Sequence, residues 1–255
     1  MSKPSFDLQG RLALVTGSSR GIGRALAQAL AQSGATVVLN GRDPATLQSA
    51  RQELLRQGLN VHAIGFDVTD EAAVQAGIAR IEEEIGALDV LVNNTGVQIR
   101  GPLEHFTTVD WNRIVQTNLT SVFLVSRTAV QKMIARRRGK IINVLSVNAE
   151  CARYSIAPYS ATKGALKMLT KGMCVDWARY NIQVNGLGPG YFATDLTQAL
   201  VQDKEFTGWI EKRVPAGRWG EVAELGGAAV FLASPASDFV NGHVLYVDGG
   251  MTASL

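Results

Sequence analysis

Short runs of consecutive apolar residues recur along the chain: Leu12 to Val15, Thr36 to Leu39, Val61 to Phe66, Asp89 to Val92, Ile141 to Leu145, Ile182 to Leu187 and Val244 to Val247. A run that does not alternate with polar residues predicts a strand covered on both faces, as in a parallel sheet. Amphipathic stretches fill the gaps and predict helices over Gly21 to Gln32, Pro44 to Gln57, Asp110 to Ala135, Tyr159 to about Tyr180 and Ala223 to Ala233. Ser33-Gly34 stops the first of these, and Pro44 and Pro158 mark the starts of two others. Strands alternating with helices predict one α/β domain over residues 1–255, a doubly wound Rossmann fold on a parallel seven-stranded sheet. Such sheets place their ligands at the carboxyl ends of the strands. Tyr191 to Gly220 breaks the rhythm with Trp209, Lys212, Arg213 and Trp219, as a helical lid over a site would.

Composition narrows this picture. The chain has 255 residues, 46% hydrophobic and 18% charged, which suits one sizeable core. Its formal charge is only +3, and the one basic cluster, Arg136-Arg137-Arg138, falls at a helix end where the dipole favours cations, so no nucleic-acid partner is expected. Two cysteines give no disulfide framework. Met1 to Gly10 holds no apolar targeting segment, and no run approaches the ~20 apolar residues of a membrane span, so a cytoplasmic protein without a membrane partner is expected. His62, His105 and His243 lack ligand-spaced companions, so no metal is expected, and Gly-x-Ser-x-Gly is absent.

The candidate chemistry lies at the strand ends. Thr16-Gly17-Ser18-Ser19-Arg20-Gly21-Ile22-Gly23 follows the first strand and opens a helix, the setting in which glycines let backbone amides approach a pyrophosphate. The second strand ends in Asn40-Gly41-Arg42, with no acid to hold a ribose 2′-hydroxyl. Arg20 and Arg42 are either ordinary surface charges or partners of a 2′-phosphate, and with the missing acid they point to NADP(H) over NAD(H). Asp67, before Val68, either meets an adenine edge or caps the helix at Asp70. Asn93 and Asn94 end the fourth strand before Thr95-Gly96, and Asn118 stands among apolar neighbours, where an amide must be hydrogen-bonded. Ser146 ends the fifth strand. Tyr159 and Lys163, four apart on one helix face, are either a surface pair or a phenol tuned by an ammonium.

Thr16-Gly17-x-x-x-Gly21-Ile22-Gly23, Asn93-Asn94-x-Gly96, Asn118, Ser146, Tyr159-x-x-x-Lys163 and Pro189-Gly190 stand in the order of the short-chain dehydrogenase/reductase family, which the chain resembles over its whole length. The resemblance implies a catalytic tetrad of Asn118, Ser146, Tyr159 and Lys163, with Tyr159 as acid/base, Ser146 donating to the substrate oxygen and Asn118 holding a water that links Lys163 to solvent. It implies cofactor contacts from Gly17, Ser19, Arg20, Gly21, Ile22, Gly23, Asn40, Gly41, Arg42, Asp67, Val68, Asn94, Thr95, Gly96, Tyr159, Lys163, Pro189, Gly190 and Thr194. Thr95 stands where the family usually has alanine. The later stretches, among them Gly96-Val97-Gln98-x-Arg100 and Arg213-x-Pro215-Ala216-x-Arg218-Trp219-Gly220, resemble the branch that interconverts D-gluconate and 5-keto-D-gluconate. A sugar-acid substrate would use Gln98, Arg100, Ser146, Asn148, Glu150 and Arg153, with an arginine on its carboxylate, unless Arg153 pairs with Glu150 and Arg100 faces solvent. The resemblance also suggests a homotetramer. A 3-oxoacyl thioester reductase and a catalytically silent nucleotide-binding regulator are the competing readings.

Overall fold

The computed structural model describes residues 5–194 and 197–254. The chain runs β1 (Leu12–Val15), α1 (Gly21–Gln32), β2 (Thr36–Leu39), α2 (Pro44–Arg56), β3 (Val61–Ala63), α3 (Glu71–Glu84) and β4 (Leu88–Asn93). It continues through α4 (Thr108–Val115), α5 (Ser121–Arg136), β5 (Gly139–Val144), α6 (Ala157–Trp177) and β6 (Ile182–Pro189). The remainder is β7 (Phe192–Ala193), α7 (Gln198–Gln202), α8 (Lys204–Arg213), β8 (Gly220–Glu221), α9 (Gly226–Ala233) and β9 (Val244–Val247). Seven strands form one parallel sheet in the order β3-β2-β1-β4-β5-β6-β9, and β7 pairs with β8 apart from it. The chain reverses its direction of travel between β1 and β4, which opens a crevice at their carboxyl ends.

Side-chain alternation explains why the apolar runs look continuous. Ala13 and Val15 of β1 face a core made with α1, α2 and α9, whereas Leu12 and Leu14 face a second core made with α3, α5 and α6. Both faces of the strand are dry. Helix starts follow local chemistry: Asp43 caps α2 by accepting from the Thr46 amide at 2.8 Å, and Asp70 caps α3 through Ala73. The basic trio at the end of α5 is structural. Arg136 holds Glu82 and the Leu88 carbonyl, Arg137 takes the left-handed turn, and Arg138 pairs with buried Asp89. Among the described residues, no helix is long and apolar enough to cross a membrane, and no three His, Cys, Asp or Glu side chains are grouped to hold a metal ion.

Two of the differences from the sequence expectation bear on the site. The third strand stops at Ala63 rather than Phe66, because Asn40 Nδ2 takes the carbonyls of Ile64 and Phe66 at 3.2 Å each. The stretch expected as one helix from Asp110 is two α-helices joined by a π turn at Gln116–Thr120, with buried Asn118 at its centre. A π turn is a costly irregularity that tends to mark a functional position.

Candidate active site

The turn after β1 is shaped for an anion. Gly17 and Gly21 have φ of +61° and +57°, a region L side chains rarely enter, and a Cβ on Gly23 would lie 2.4 Å from the Gly17 carbonyl oxygen. Arg20 precedes α1 in an extended conformation and its side chain does not cap the helix. The first amides of α1 are therefore without a side-chain acceptor, which suits a phosphate at that end. The neighbouring polar residues build the turn. Ser18 Oγ donates to the Val15 carbonyl at 2.7 Å and accepts from the Asn40 amide at 2.9 Å. Asn94 Nδ2 donates to the carbonyls of Thr16 and Gly17, both at 3.0 Å. Asn40 and Asn94 thus have their amide nitrogens committed to backbone, and any nucleotide contact from them falls to other atoms. Asp67 accepts from Thr69 through Oδ1 and lies 3.6 Å from Arg42 through Oδ2, while Asp70 caps α3 itself. Burial raises the Asp67 carboxyl, but the Thr69 bonds and Arg42 together hold it below its ordinary value. Ile22 packs on the core shared with α1, α2 and α9, and Val68 is buried in the opposite core, leaving backbone for any ligand. The Thr95 hydroxyl is buried without a partner among the described residues and lies where a Cβ on Gly17 would come within 2.9 Å of it. Gly96 faces Asn118, and Ser19 Oγ lies against Gly41, whose Cβ would meet it at 2.5 Å.

On the other side of the crevice, Ser146 leaves β5 extended and α6 brings up Tyr159 and Lys163. Ser146 Oγ accepts from the Asn148 amide at 3.1 Å and from Asn148 Nδ2 at 3.3 Å. Two accepted bonds leave the serine proton free to be donated, so Asn148 aims Ser146 through its nitrogens, and any ligand contact from its side chain falls to Oδ1. Lys163 is buried and donates to the Val144 carbonyl at 2.7 Å, with its ammonium 5.6 Å from the Tyr159 ring centre. Burial pushes the Tyr159 phenol up to about 12; the nearby Ser146 hydroxyl pulls the other way, and Tyr191 adds to the rise. Burial alone brings Lys163 down to about 8. In the free chain desolvation therefore outweighs the easing of the phenol that a nearby ammonium leads one to expect. Asn118 lies at the same place but with its side chain engaged: Oδ1 accepts from the Val97 amide at 2.8 Å, and Nδ2 donates to the Val97 carbonyl at 2.9 Å and to Thr162 Oγ1 at 3.4 Å. It clamps the exit of β4 to α6. Gly190 packs on Asp248, where a Cβ would come within 2.7 Å of the Asp248 Cα, and Thr194 bonds to Thr197 at 2.9 Å.

The remaining sequence candidates separate. Glu150 accepts from Lys167 and, at 2.5 Å, from the Tyr246 hydroxyl. It forms no ion pair with Arg153 among the described residues. Arg153 instead stacks on Phe206 and Tyr191. Arg100 is exposed at its end of the β4 exit; partial desolvation lowers its pKa, and the like charge of Arg153 lowers it further. Gln98 is exposed in the same loop.

A family profile described as enoyl-(acyl carrier protein) reductase matches residues 17–252. Over 256 aligned positions, covering 100% of both chains, the protein is 57% identical to the gluconate 5-dehydrogenase of Gluconobacter oxydans (strain 621H). The chain belongs to the short-chain dehydrogenase/reductase family. It is 49% identical to the 5-keto-D-gluconate 5-reductase of Escherichia coli (strain K12), over 98% of each chain. The crystal structure of a gluconate 5-dehydrogenase from Burkholderia cenocepacia J2315, in complex with NADP and tartrate, superposes with a TM-score of 0.95 at 54% identity, covering 98% of each chain.

This short-chain dehydrogenase/reductase also joins residues in groupings that the sequence did not reveal, adding Ser126, Asn143, Thr170 and Phe206. Asn93 Nδ2 donates to Ser126 Oγ and to Asn143 Oδ1, both at 2.9 Å, and Asn143 Nδ2 donates to Thr170 Oγ1 at 2.9 Å. This fully buried ladder ties β4, β5, α5 and α6 together beneath Ser146. An asparagine recurring inside apolar runs, as at Asn93 and Asn143, was the signal for it. The rings of Tyr191, Phe206, Trp209 and Trp219 form a second such group, at centroid spacings of 5.4 to 5.9 Å.

Proposed function

We propose that the chain interconverts D-gluconate and 5-keto-D-gluconate with NADP(H), using Tyr159 as the acid/base. One observation carries the substrate reading: the like charge of Arg153 helps to lower the pKa of Arg100, the Arg153 guanidinium centre lies 5.9 Å from the Tyr191 ring, and neither arginine forms an ion pair among the described residues. Cations brought together beside a proton donor, with no carboxylate to balance them, suit an acidic substrate. The relatives named for gluconate and ketogluconate chemistry, and the relative crystallised with tartrate, a hydroxy acid, support the same reading.

The mechanism follows from the side chains. Bound NADP(H) would supply or accept the hydride. Ser146, its lone pairs engaged by Asn148, donates to the substrate oxygen and fixes the carbonyl at the phenol. Tyr159, protonated through neutral pH, hands its proton to that oxygen during reduction and takes it back during oxidation. Lys163, anchored to the Val144 carbonyl, keeps positive charge below Tyr159. Asn118 holds the β4 exit loop, with Arg100, in register with α6.

A preference for NADP(H) is part of the proposal. Gly41 presents no carboxylate, and Arg42 is bound only loosely, 3.6 Å from Asp67 with 72% of its side chain exposed, so it is free to turn to a 2′-phosphate alongside Arg20. Arg42→Ala should weaken NADPH binding about tenfold and leave NADH unchanged. Gly41→Asp is a poorer probe, since its Cβ would displace the Ser19 hydroxyl.

The test is NADPH oxidation with 5-keto-D-gluconate, fructose and a 3-oxoacyl thioester. Turnover should favour the keto acid. A preference for the thioester would overturn the substrate, and tight NADPH binding with no turnover would favour the silent regulator.

A further inference from the structure

Arg153 belongs to the loop that follows Ser146, yet its guanidinium lies against the far side of the site. Its centre stands 4.8 Å from the Phe206 ring of α8 and 5.9 Å from the Tyr191 ring. Those rings are held by their neighbours: Phe206 lies 5.4 Å from Trp209 and 5.9 Å from Trp219, and Trp219 Nε1 donates to Thr207 Oγ1 at 3.2 Å. The arginine's Nε is buried with no hydrogen-bond partner among the described residues. A guanidinium stacked on aromatic faces keeps its plane and loses rotamer freedom, while its edge still needs acceptors.

We infer that Phe206 and Tyr191 are positioning residues that clamp the Arg153 guanidinium, so that a substrate carboxylate supplies the acceptor its buried edge lacks and joins α8 to the catalytic loop. This rests on the sugar-acid reading of the site and adds to it the element that sets acid specificity. The binding of the acid is then coupled to α8 through Arg153. Trp209 and Trp219 stand in the same cluster, so the coupling has an optical reporter.

The experiment measures kcat and KM for 5-keto-D-gluconate at saturating NADPH, the Kd for NADPH, and tryptophan emission on adding the acid. Phe206→Leu should raise KM about fivefold to tenfold with kcat within about twofold, and Phe206→Tyr should restore it. Arg153→Lys, which keeps the charge but loses the planar stack, should match Phe206→Leu and also abolish the emission change. Unchanged KM in Phe206→Leu and Arg153→Lys, with normal wild-type turnover, sinks the clamp alone. Equal losses in kcat and KM with a lowered melting temperature would make the cluster merely structural and also overturn it. If the wild-type protein turns over no sugar acid, the underlying reading falls and this one falls with it.

Discussion

On the β1 side of the crevice polar side chains reach for the backbone of the glycine turn, whereas on the β5 side backbone anchors such as that of Lys163 on Val144 are joined by contacts between side chains. Thr16, Ser18, Asn40 and Asn94 each bond to main-chain atoms of the glycine turn or the strand ends, so they fix a path of the chain. Ser146, Asn148, Tyr159 and the Arg153 cluster are set by contacts between side chains that come from three separate elements. A backbone path tolerates no added atom where it is crowded, as at Gly23. A side-chain constellation tolerates repacking but loses its chemistry when one group is removed.

The largest effect expected from that contrast is on the β5 side. Tyr159→Phe removes only the proton donor, so turnover should fall about 10²- to 10⁴-fold with NADPH affinity nearly unchanged; retention within about tenfold of wild type would break the contrast. On the β1 side, Gly23→Ala drives a Cβ to 2.3 Å from Asn94 Nδ2 and 2.4 Å from the Gly17 carbonyl, whereas Gly21→Ala meets open space and only a φ of +57°. Denaturant unfolding should show a loss of about 3 kcal/mol or more for the first and about 1–2 kcal/mol for the second. Equal losses would mean that the turn yields as a side-chain cluster does.

Two smaller effects sharpen the comparison. Lys163, held near 8 in the fold against an ordinary 10.5, binds its proton less well folded than unfolded. Stability of the cofactor-free protein should therefore rise with pH from about 8 towards 10.5, the gain being lost as pH falls through 8. Tyr159, raised from 10 to about 12, works the other way, adding stability below pH 10 that is lost as pH rises towards 12. Melting curves of wild type minus Lys163→Met at pH 7.5 and 9.5 isolate the first effect, and a difference that is flat with pH would show that the lysine is not desolvated. The smallest effect belongs to Glu150. Bound to Lys167 and Tyr246 at the surface, it should change KM for the keto acid by less than about twofold when replaced by alanine, whereas a substrate ligand would change it far more.

The sequence made the order of strands and helices legible because the central strands β1, β4, β5 and β6 are dry on both faces, as Leu12 to Val15 illustrates. The glycine turn was legible for a related reason, since its requirements are local to Gly17, Gly21 and Gly23. The gathering of Asn118, Ser146, Tyr159 and Lys163 at one end of the sheet was legible through motif order. What was not legible depends on contacts across the fold: the truncation of β3 by Asn40, the aiming of Ser146 by Asn148, and the partners of Glu150 and Arg153. Glu150 and Arg153 are three residues apart on one loop, and a pair between them was a fair local reading. Tyr246, ninety-six residues beyond Glu150, and Phe206 outbid that pairing from elsewhere in the chain.

The π turn at Gln116–Thr120 acts as a gear between two windings. One surplus residue rotates whatever follows by about 100° around the helix. α4 accordingly buries only Ile114, whereas α5, continuing the same stretch of chain, buries eight residues against the sheet. Asn118 sits on the tooth, reaching Val97 on one side and Thr162 on the other. A chain shortened by one residue there would wind regularly and gain backbone bonds, yet it would mesh α4, the β4 exit and α6 one step out of phase. The length of this segment is thus fixed to the residue, and its irregularity is what keeps the site timed to the sheet.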